Sequence, residues 1–373
     1  MKTGLNKKLI CFMIASAAIL TGCASAQNVS VTPPSDGQRL VIYTAHKEEV
    51  YRPVIEEFED QTGIWVDVQA GGTTQMLRRI RQEQSAVTSG KTSQSAAISG
   101  TSGTIFPADI MFGGGAENLE AYRDCFAPYH SPLEDNISSS FRSCDGTWTP
   151  FTELPIVFIY NSKLVARENA PRSWKDFLDG EWSGQISFAD PQKSGTSITI
   201  LETLKLVNDT QGWGMREEEL LEQFAEQLGG HLAAGSGDVP REVASGTRMV
   251  GITLEETALK FMAGGSDIGM IYPEEGTSAV PDCVAIVRNA PHEENAKRFA
   301  DFVIDRPVQK YVETNLFRRS VRTDVNETIR GTNGLSQQDT GTLRILPFDV
   351  SGASKDGRDM LEKFLSYMRQ ENA

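Results

Sequence analysis

Apolar and polar residues repeat with two different periods where the globular part of the chain begins. The short apolar run 40–44 predicts a buried strand, and Val50, Val54 and Phe58 recur at the spacing of one helix face. Gly63 stands where such a helix needs a C-terminal cap. A second strand and a second helix follow after short connections. This βαβα order predicts a parallel α/β sheet.

The same reading extends along the rest of the chain. It predicts further strands over 64–69, 108–112, 154–160, 249–253, 268–272 and 284–287, and helices that begin near 73, 195 and 293. The stretch 113–115 is expected to lead into a helix, and Pro307 suits the first turn of the next one. Residues 85–104 are rich in Ser, Thr, Ala and Gly and predict a flexible insertion.

The N-terminus has the pattern of an export signal. Three lysines precede the apolar run 9–20, which is too short to span a bilayer as a helix. The following residues 20–23 (LTGC) resemble a bacterial lipobox, in which Cys23 receives lipid. Residues 24–26 (ASA) also fit ordinary signal peptidase, so this alternative stays open. We expect a signal peptide over 1–22, a lipid tether over 23–38, and an exported body anchored at the membrane, facing the periplasm or the exterior.

Charge and cysteine content narrow the function classes. Loss of residues 1–22, with three lysines and no acid, changes the formal charge from −14 to −17, which argues against a nucleic-acid partner. Cys125 and Cys144 flank a segment rich in Pro, Ser and Asp, and because export permits disulfides we predict one between them. Cys283 lies in an apolar run and is predicted to be a buried thiol. The scattered Cys and His residues show no metal-binding spacing, and no cofactor is expected.

Four blocks of sequence resemble the extracellular solute-binding proteins of ABC importers, in the group that includes ferric-iron, polyamine, thiamine, phosphonate and hexose-phosphate binders. They are, in order, 41–46 (VIYTAH), 107–112 (PADIMF), 250–255 (VGITLE), and 272–277 (YPEEGT) followed by 281–282 (PD). The resemblance covers about residues 40–350.

The resemblance implies an α/β fold of two lobes, the type II periplasmic-binding-protein fold, with a ligand cleft between lobes joined by chain crossovers. Lobe one would take 39–150 and 270–316. Lobe two would take 151–269, and the C-terminal segment 317–373 would lie mainly on it. A monomer would close on a small solute by a hinge motion and present it to the transmembrane subunits of an ABC permease.

Four segments rich in Gly, Ser and Thr precede predicted helices and could bind an anion in this cleft. A helix N-terminus offers free N–H groups and partial positive charge, although such residues also cap helices in every class of protein. The candidate contacts in these segments are Gly72, Thr73, Thr74, Gly114, Ser194, Gly195, Thr196 and Ser236.

Other candidate contacts are polar side chains near strand ends, namely Thr44, His46, Thr152, Glu153, Glu255 and Asp282. The resemblance aligns Asp282 with a cleft aspartate of the polyamine binders. Carboxylates accept hydrogen bonds from sugar hydroxyls or amines. The late arginines Arg318, Arg319 and Arg322 are expected to pair with acidic neighbours rather than with a phosphate.

The ligand class is chosen by comparison within the group. The ferric-iron binders use adjacent tyrosines, and this chain has no Tyr-Tyr pair. The polyamine binders carry a tryptophan before the cleft aspartate, where this chain has residues 278–280 (SAV). The block 276–282 and the late arginines resemble the hexose-phosphate binders most. A phosphorylated sugar is therefore predicted, with iron or polyamine as alternatives within the group. A surface adhesin or sensor is the alternative from another class, and no catalytic motif predicts an enzyme.

Overall fold

The computed structural model describes residues 36–88, 107–325 and 342–371. Its strands are β1 (Arg39–Thr44), β2 (Trp65–Ala70), β3 (Ile110–Gly115), β4 (Thr149–Asn161), β5 (Ile186–Ser187), β6 (Val250–Leu254), β7 (Ile268–Ile271), β8 (Ala279–Ile286) and β9 (Arg319–Ser320). Its α-helices are α1 (Glu48–Thr62), α2 (Thr73–Thr88), α3 (Ala116–Glu120), α4 (Gly195–Gln211), α5 (Glu217–Gln227), α6 (Val239–Ser245), α7 (Glu255–Ala263), α8 (Glu293–Val303), α9 (Arg306–Leu316) and α10 (Val350–Glu371). Short 3-10 helices lie at Asp36–Gln38, Arg123–Cys125, Glu134–Asn136, Ser139–Phe141, Arg167–Asn169 and Trp174–Phe177.

Helix α1 confirms the reading of its periodicity. Val50, Val54 and Phe58 are buried on one face. Gly63 takes the left-handed conformation with φ 67°, and its N–H donates to the carbonyl of Glu59. Glycine suits this cap because it has no Cβ to clash at positive φ.

Strand β4 is long and belongs to two sets of strands. Its first half pairs antiparallel with β8 and β9, and β8 continues to β3. Strand β1 lies between β3 and β2 and runs parallel to both. The second half of β4 pairs antiparallel with β6 and β7, and β5 adds parallel to β6. The chain therefore passes from one α/β layer to the other through β4.

Apolar side chains cover both faces of each set of strands, as expected for sheets packed between helices. On the first set Phe58, Phe112 and Phe299 meet edge to face, with ring centroids 5.1 and 5.3 Å apart. On the second set Phe158 packs edge to face on Trp174 at 5.0 Å. The helix α10 buries Phe364 in this second cluster.

Several boundaries differ from the sequence prediction. Strands β4 and β8 begin at Thr149 and Ala279, ahead of the predicted starts at 154 and 284. Helix α2 continues to Thr88, so the predicted insertion does not begin at 85, and residues 89–106 lie outside the described ranges. Strand β3 continues to Gly115, beyond its predicted end at 112, and residues 113–115 lead directly into α3 as expected. Gly113 and Gly114 have φ values of 100° and 94°, a region that glycine adopts more readily than other residues.

The predicted disulfide between Cys125 and Cys144 is wrong in this structure, where both are free thiols. Cys125 is 2% exposed and packs in the apolar cluster of Met76 and Leu77, whereas Cys144 is exposed. The two side chains therefore occupy different environments. Cys283 is buried, as predicted.

The predicted signal peptide, the lipid site Cys23 and most of the tether precede the described residues. Among the helices of the described ranges, none combines the length and the apolar character needed to cross a membrane.

Candidate functional site

A cleft of about 250 Å³ opens where the ends of β1, β3 and β8 face the N-terminus of α4. Its walls come from both sets of strands and their helices. The residues that line it are Ala45, His46, Gly72, Thr73, Gly114, Gly115, Glu117, Asn118, Leu154, Lys193, Ser194, Gly195, Thr196, Thr199, Ser236, Leu254, Val280, Asp282 and Arg318.

Most of the side chains selected from the sequence meet in this cleft. His46, Gly72, Thr73, Gly114, Ser194, Gly195, Thr196, Ser236 and Asp282 belong to its lining. Thr44, Thr74, Thr152, Glu153 and Glu255 do not. The segments before α2 and α4 were chosen because helices begin there, and both helices do begin there.

The N-terminus of α4 forms one wall. Ser194 caps the helix, since its hydroxyl accepts the N–H of Ser197 at 3.3 Å. Gly195 and Thr196 occupy the first turn, where backbone N–H groups have no partner within the helix. Lys193 lies next to them. Its ammonium is 3.1 Å from the carboxylate of Asp190, and its side chain is 64% exposed. This wall is suited to negative charge.

Asp282 and Arg318 form a buried ion pair at the floor. Thr152 contacts both members of this pair. Its N–H donates to the carboxylate of Asp282 at 2.9 Å, and its hydroxyl accepts from the guanidinium of Arg318 at 3.1 Å. The sequence had predicted acidic partners for the late arginines, and Arg318 has one. The same arginine also reaches the cleft, which the sequence analysis did not anticipate.

His46 lies beside this ion pair with its ring packed against Phe112 and Phe151 at 4.5 and 5.6 Å. Thr44 fixes the turn that carries it, because the Thr44 hydroxyl accepts the His46 N–H at 3.1 Å and donates to Phe112 at 2.8 Å. Burial lowers the pKa of His46 to about 4, so the ring is neutral at physiological pH. A Cβ at Gly113 would come within 3.1 Å of this ring, so the close approach requires glycine.

Glu117 is the acidic residue of the cleft that sequence reasoning missed. Its Oε1 accepts hydrogen bonds from Asn118 at 2.7 Å and from Thr199 at 3.2 Å. Thr199 belongs to α4, so this contact links the two walls of the cleft. Burial raises the pKa of Glu117 to about 7. The sequence did offer one sign of its role, because Glu117 closely follows strand β3 and the three glycines 113–115 that end it.

Glu255 lies outside the lining because its carboxylate is already paired. Arg319 donates to both of its oxygens, at 2.6 and 2.8 Å, and the hydroxyl of Tyr272 donates as well. Glu153 lies close to this group, and burial raises its pKa to about 7. These residues form a second buried cluster next to the cleft floor.

A larger cavity of about 570 Å³ adjoins the cleft. We call it the outer cavity. It shares Gly72, Thr73, Lys193, Ser194 and Gly195 with the cleft, and Thr74 lies in its lining.

Comparison with known proteins places this geometry in context. A sequence model described as bacterial extracellular solute-binding protein matches residues 107–332. Iron uptake protein A1 of Synechocystis is 23% identical over 92% of this chain and 93% of its own length. A putative 2-aminoethylphosphonate-binding periplasmic protein of Salmonella typhimurium is 24% identical over 51% of this chain and 56% of its own length.

Solved structures agree on the fold. The ferric binding protein from Campylobacter jejuni superposes with a TM-score of 0.71 at 21% identity, covering 88% of this chain and 99% of that one. The periplasmic binding protein AfuA from Actinobacillus pleuropneumoniae, with fructose-6-phosphate bound, gives 0.70 at 20% identity, covering 89% and 98%. The predicted two-lobed type II periplasmic-binding-protein fold is thereby confirmed.

Proposed function

This chain belongs to the bacterial extracellular solute-binding proteins that serve ABC importers, and we propose that its solute is a phosphorylated sugar or a similar organophosphate. In this proposal lipid on Cys23 tethers a monomer at the membrane surface. The lobes close on the solute, and the permease subunits recognise the closed form.

The observation that carries the proposal is a set of three buried polar atoms on residues that line the cleft. Nε2 of His46, Oε2 of Glu117 and Nε of Arg318 have no hydrogen-bond partner among the described residues. Nε2 of His46 is 3.4 Å from an oxygen of Asp282, but without the alignment of a hydrogen bond. Buried polar atoms are nearly always paired. A polar solute would supply all three partners at once.

The anionic end of the solute fits the wall formed by α2 and α4. This wall contains the first-turn N–H groups that follow Ser194 and the side chains of Thr73, Lys193 and Thr196. Hydrogen bonds from such donors to a phosphate are charge-assisted and stronger than neutral ones. The chain is acidic overall, and long-range repulsion of an anion does not cancel these short-range contacts.

The sugar end fits the opposite side. Glu117 and Asn118 offer a carboxyl and an amide, and Asp282 lies at the floor. An amide or a protonated carboxyl can donate a hydrogen bond to a hydroxyl or accept one from it, whereas an ionised carboxylate only accepts. The two ends together favour a solute with a phosphate and several hydroxyls.

The donor set of the cleft does not favour ferric ion, although several relatives are named for iron. No tyrosine occurs among the described residues that line it. Tyr272 is outside the lining, and its hydroxyl is bound to Glu255. A hard trivalent cation would also meet Arg318 and Lys193 at close range.

A second candidate is a solute with both a phosphonate and an ammonium group. Glu117 favours it, because its unpartnered Oε2 would pair with an ammonium when the carboxyl is ionised. The two candidates require opposite protonation states of Glu117. The pH dependence of affinity therefore separates them.

Calorimetry with fructose-6-phosphate tests the phosphate wall. Ser194→Ala combined with Thr196→Ala should weaken binding by about tenfold, or about 1.4 kcal/mol, because two donors are lost. The matched control is Ser245→Ala with Thr247→Ala, which removes two exposed hydroxyls that bond each other at 2.9 Å near the end of α6. Equal affinities in both double variants would show that the phosphate does not lie against α4.

A further inference from the structure

We propose that the outer cavity binds a second anionic group of the solute, and that the preferred solute is a sugar carrying two phosphates. This inference rests on the proposed function, in which the first phosphate lies against the wall shared by the cleft and the outer cavity. It extends that function by naming the substrate class.

The outer cavity is larger than the cleft, so a solute that occupied only the cleft would leave it unfilled. The cleft holds about 250 Å³ and the outer cavity about 570 Å³. The two adjoin each other, because Gly72, Thr73 and 193–195 belong to both linings. A solute held against this shared wall can extend in both directions.

The charge of the outer cavity is opposite to that of the chain. Arg78, Arg79 and Lys193 line it, and no Asp or Glu occurs among its described lining residues. The chain as a whole carries a formal charge of −14. Because Arg79 and Lys193 are paired with Glu83 and Asp190 outside the lining, the unbalanced positive charge is that of Arg78, which attracts a small anion.

The three cations differ in how far they are already engaged. Arg79 donates to Glu83 at 3.0 Å and to Gln69 at 2.6 Å. Lys193 lies 3.1 Å from Asp190. Arg78 is exposed and makes no hydrogen bond or ion pair with any described residue. Its guanidinium is therefore available to hold a phosphate through two parallel hydrogen bonds.

Calorimetry with fructose-6-phosphate and fructose bisphosphate tests this inference on the full-length protein. The bisphosphate should bind about tenfold more tightly to the wild type. Arg78→Gln should remove most of this advantage and leave the monophosphate affinity within about twofold, because only the second phosphate reaches Arg78. The control Arg216→Gln makes the same charge change at an arginine that is 79% exposed and lines neither cavity.

The outcomes separate this inference from the proposed function. Monophosphate binding with no gain for the bisphosphate would overturn the second site and leave the first intact. An equal loss in Arg78→Gln and Arg216→Gln would also overturn it, since net charge alone would then explain the effect. Failure of both sugars to bind would overturn both proposals. A bisphosphate advantage lost only in Arg78→Gln is the result that we expect.

Discussion

Glu117 gives the sharpest chemical prediction, because its protonation state is coupled to the charge of the solute. Burial raises its pKa to about 7, so roughly half of the free protein carries the proton at that pH. A phosphorylated sugar should bind best when the carboxyl is protonated. The neutral group donates a hydrogen bond and does not repel the anion.

The size of the effect follows from that pKa. If only the protonated form binds, affinity falls by about tenfold, or about 1.4 kcal/mol, between pH 6 and pH 8. Glu117→Gln cannot ionise and imitates the protonated carboxyl. Its oxygen still accepts from Asn118 and Thr199. The variant should therefore equal the wild type at pH 6 and bind about tenfold more tightly than it at pH 8.

The assay is calorimetry with fructose-6-phosphate at pH 6, 7 and 8. The phosphate titrates near pH 6 as well, and the ratio of variant to wild-type affinity removes that contribution. Glu120→Gln, on the same helix but outside the cleft lining, is the control and should follow the wild type. A ratio that stays constant with pH would refute the role given to Glu117. Wild-type affinity for 2-aminoethylphosphonate that rises with pH would favour the ammonium-bearing solute instead.

Three further predictions concern the rest of the chain. His46 has a lowered pKa, so it contributes stability above its ordinary pKa of about 6.5 that is lost as pH falls towards 4. In urea unfolding, the stability of the wild type relative to His46→Asn should therefore fall by about 2 kcal/mol from pH 7 to pH 5. In the native protein a thiol reagent should label Cys144 quickly. Cys125 should react only on unfolding, because it is buried and its pKa is raised. A disulfide-linked peptide that contains both cysteines in an unreduced digest would contradict this prediction. Cys23→Ser should release the protein from membranes or leave it unprocessed, and normal processing with membrane retention would count against lipidation.

The sequence predicted best what depends on local spacing. The buried face of α1 and its glycine cap follow from residues within one helix. The starts of α2 and α4 were found because Gly, Ser and Thr mark helix N-termini. These starts carry much of the cleft wall, so part of the site could be found from the sequence.

Contacts between segments far apart in the chain could not be predicted from the sequence. Glu117 meets Thr199 from the other wall, and no short motif joins them. The packing of Cys125 against α2 was not predicted either, because no pattern in the sequence connects it with the apolar residues of that helix. Arg318 was correctly expected to have an acidic partner, but its place in the cleft depends on the fold.

Thr44 and Thr152 show a related difficulty. Both were chosen as direct contacts, and both instead hold residues that line the cleft. Glu255 was chosen because it follows a strand, but the bidentate contact with Arg319 takes up its carboxylate. Strand ends bring polar residues near a site, while the side-chain partners decide which of them face it.

The ligand class is the central claim, and one calorimetric series with the wild-type protein tests it most directly. The series compares fructose-6-phosphate, free fructose, spermidine and ferric citrate under one buffer and salt condition. We predict submicromolar affinity for the sugar phosphate and at least about tenfold weaker binding of the free sugar, a difference of about 1.4 kcal/mol. Tight binding of spermidine or ferric ion, with no heat from the sugar phosphate, would contradict the account.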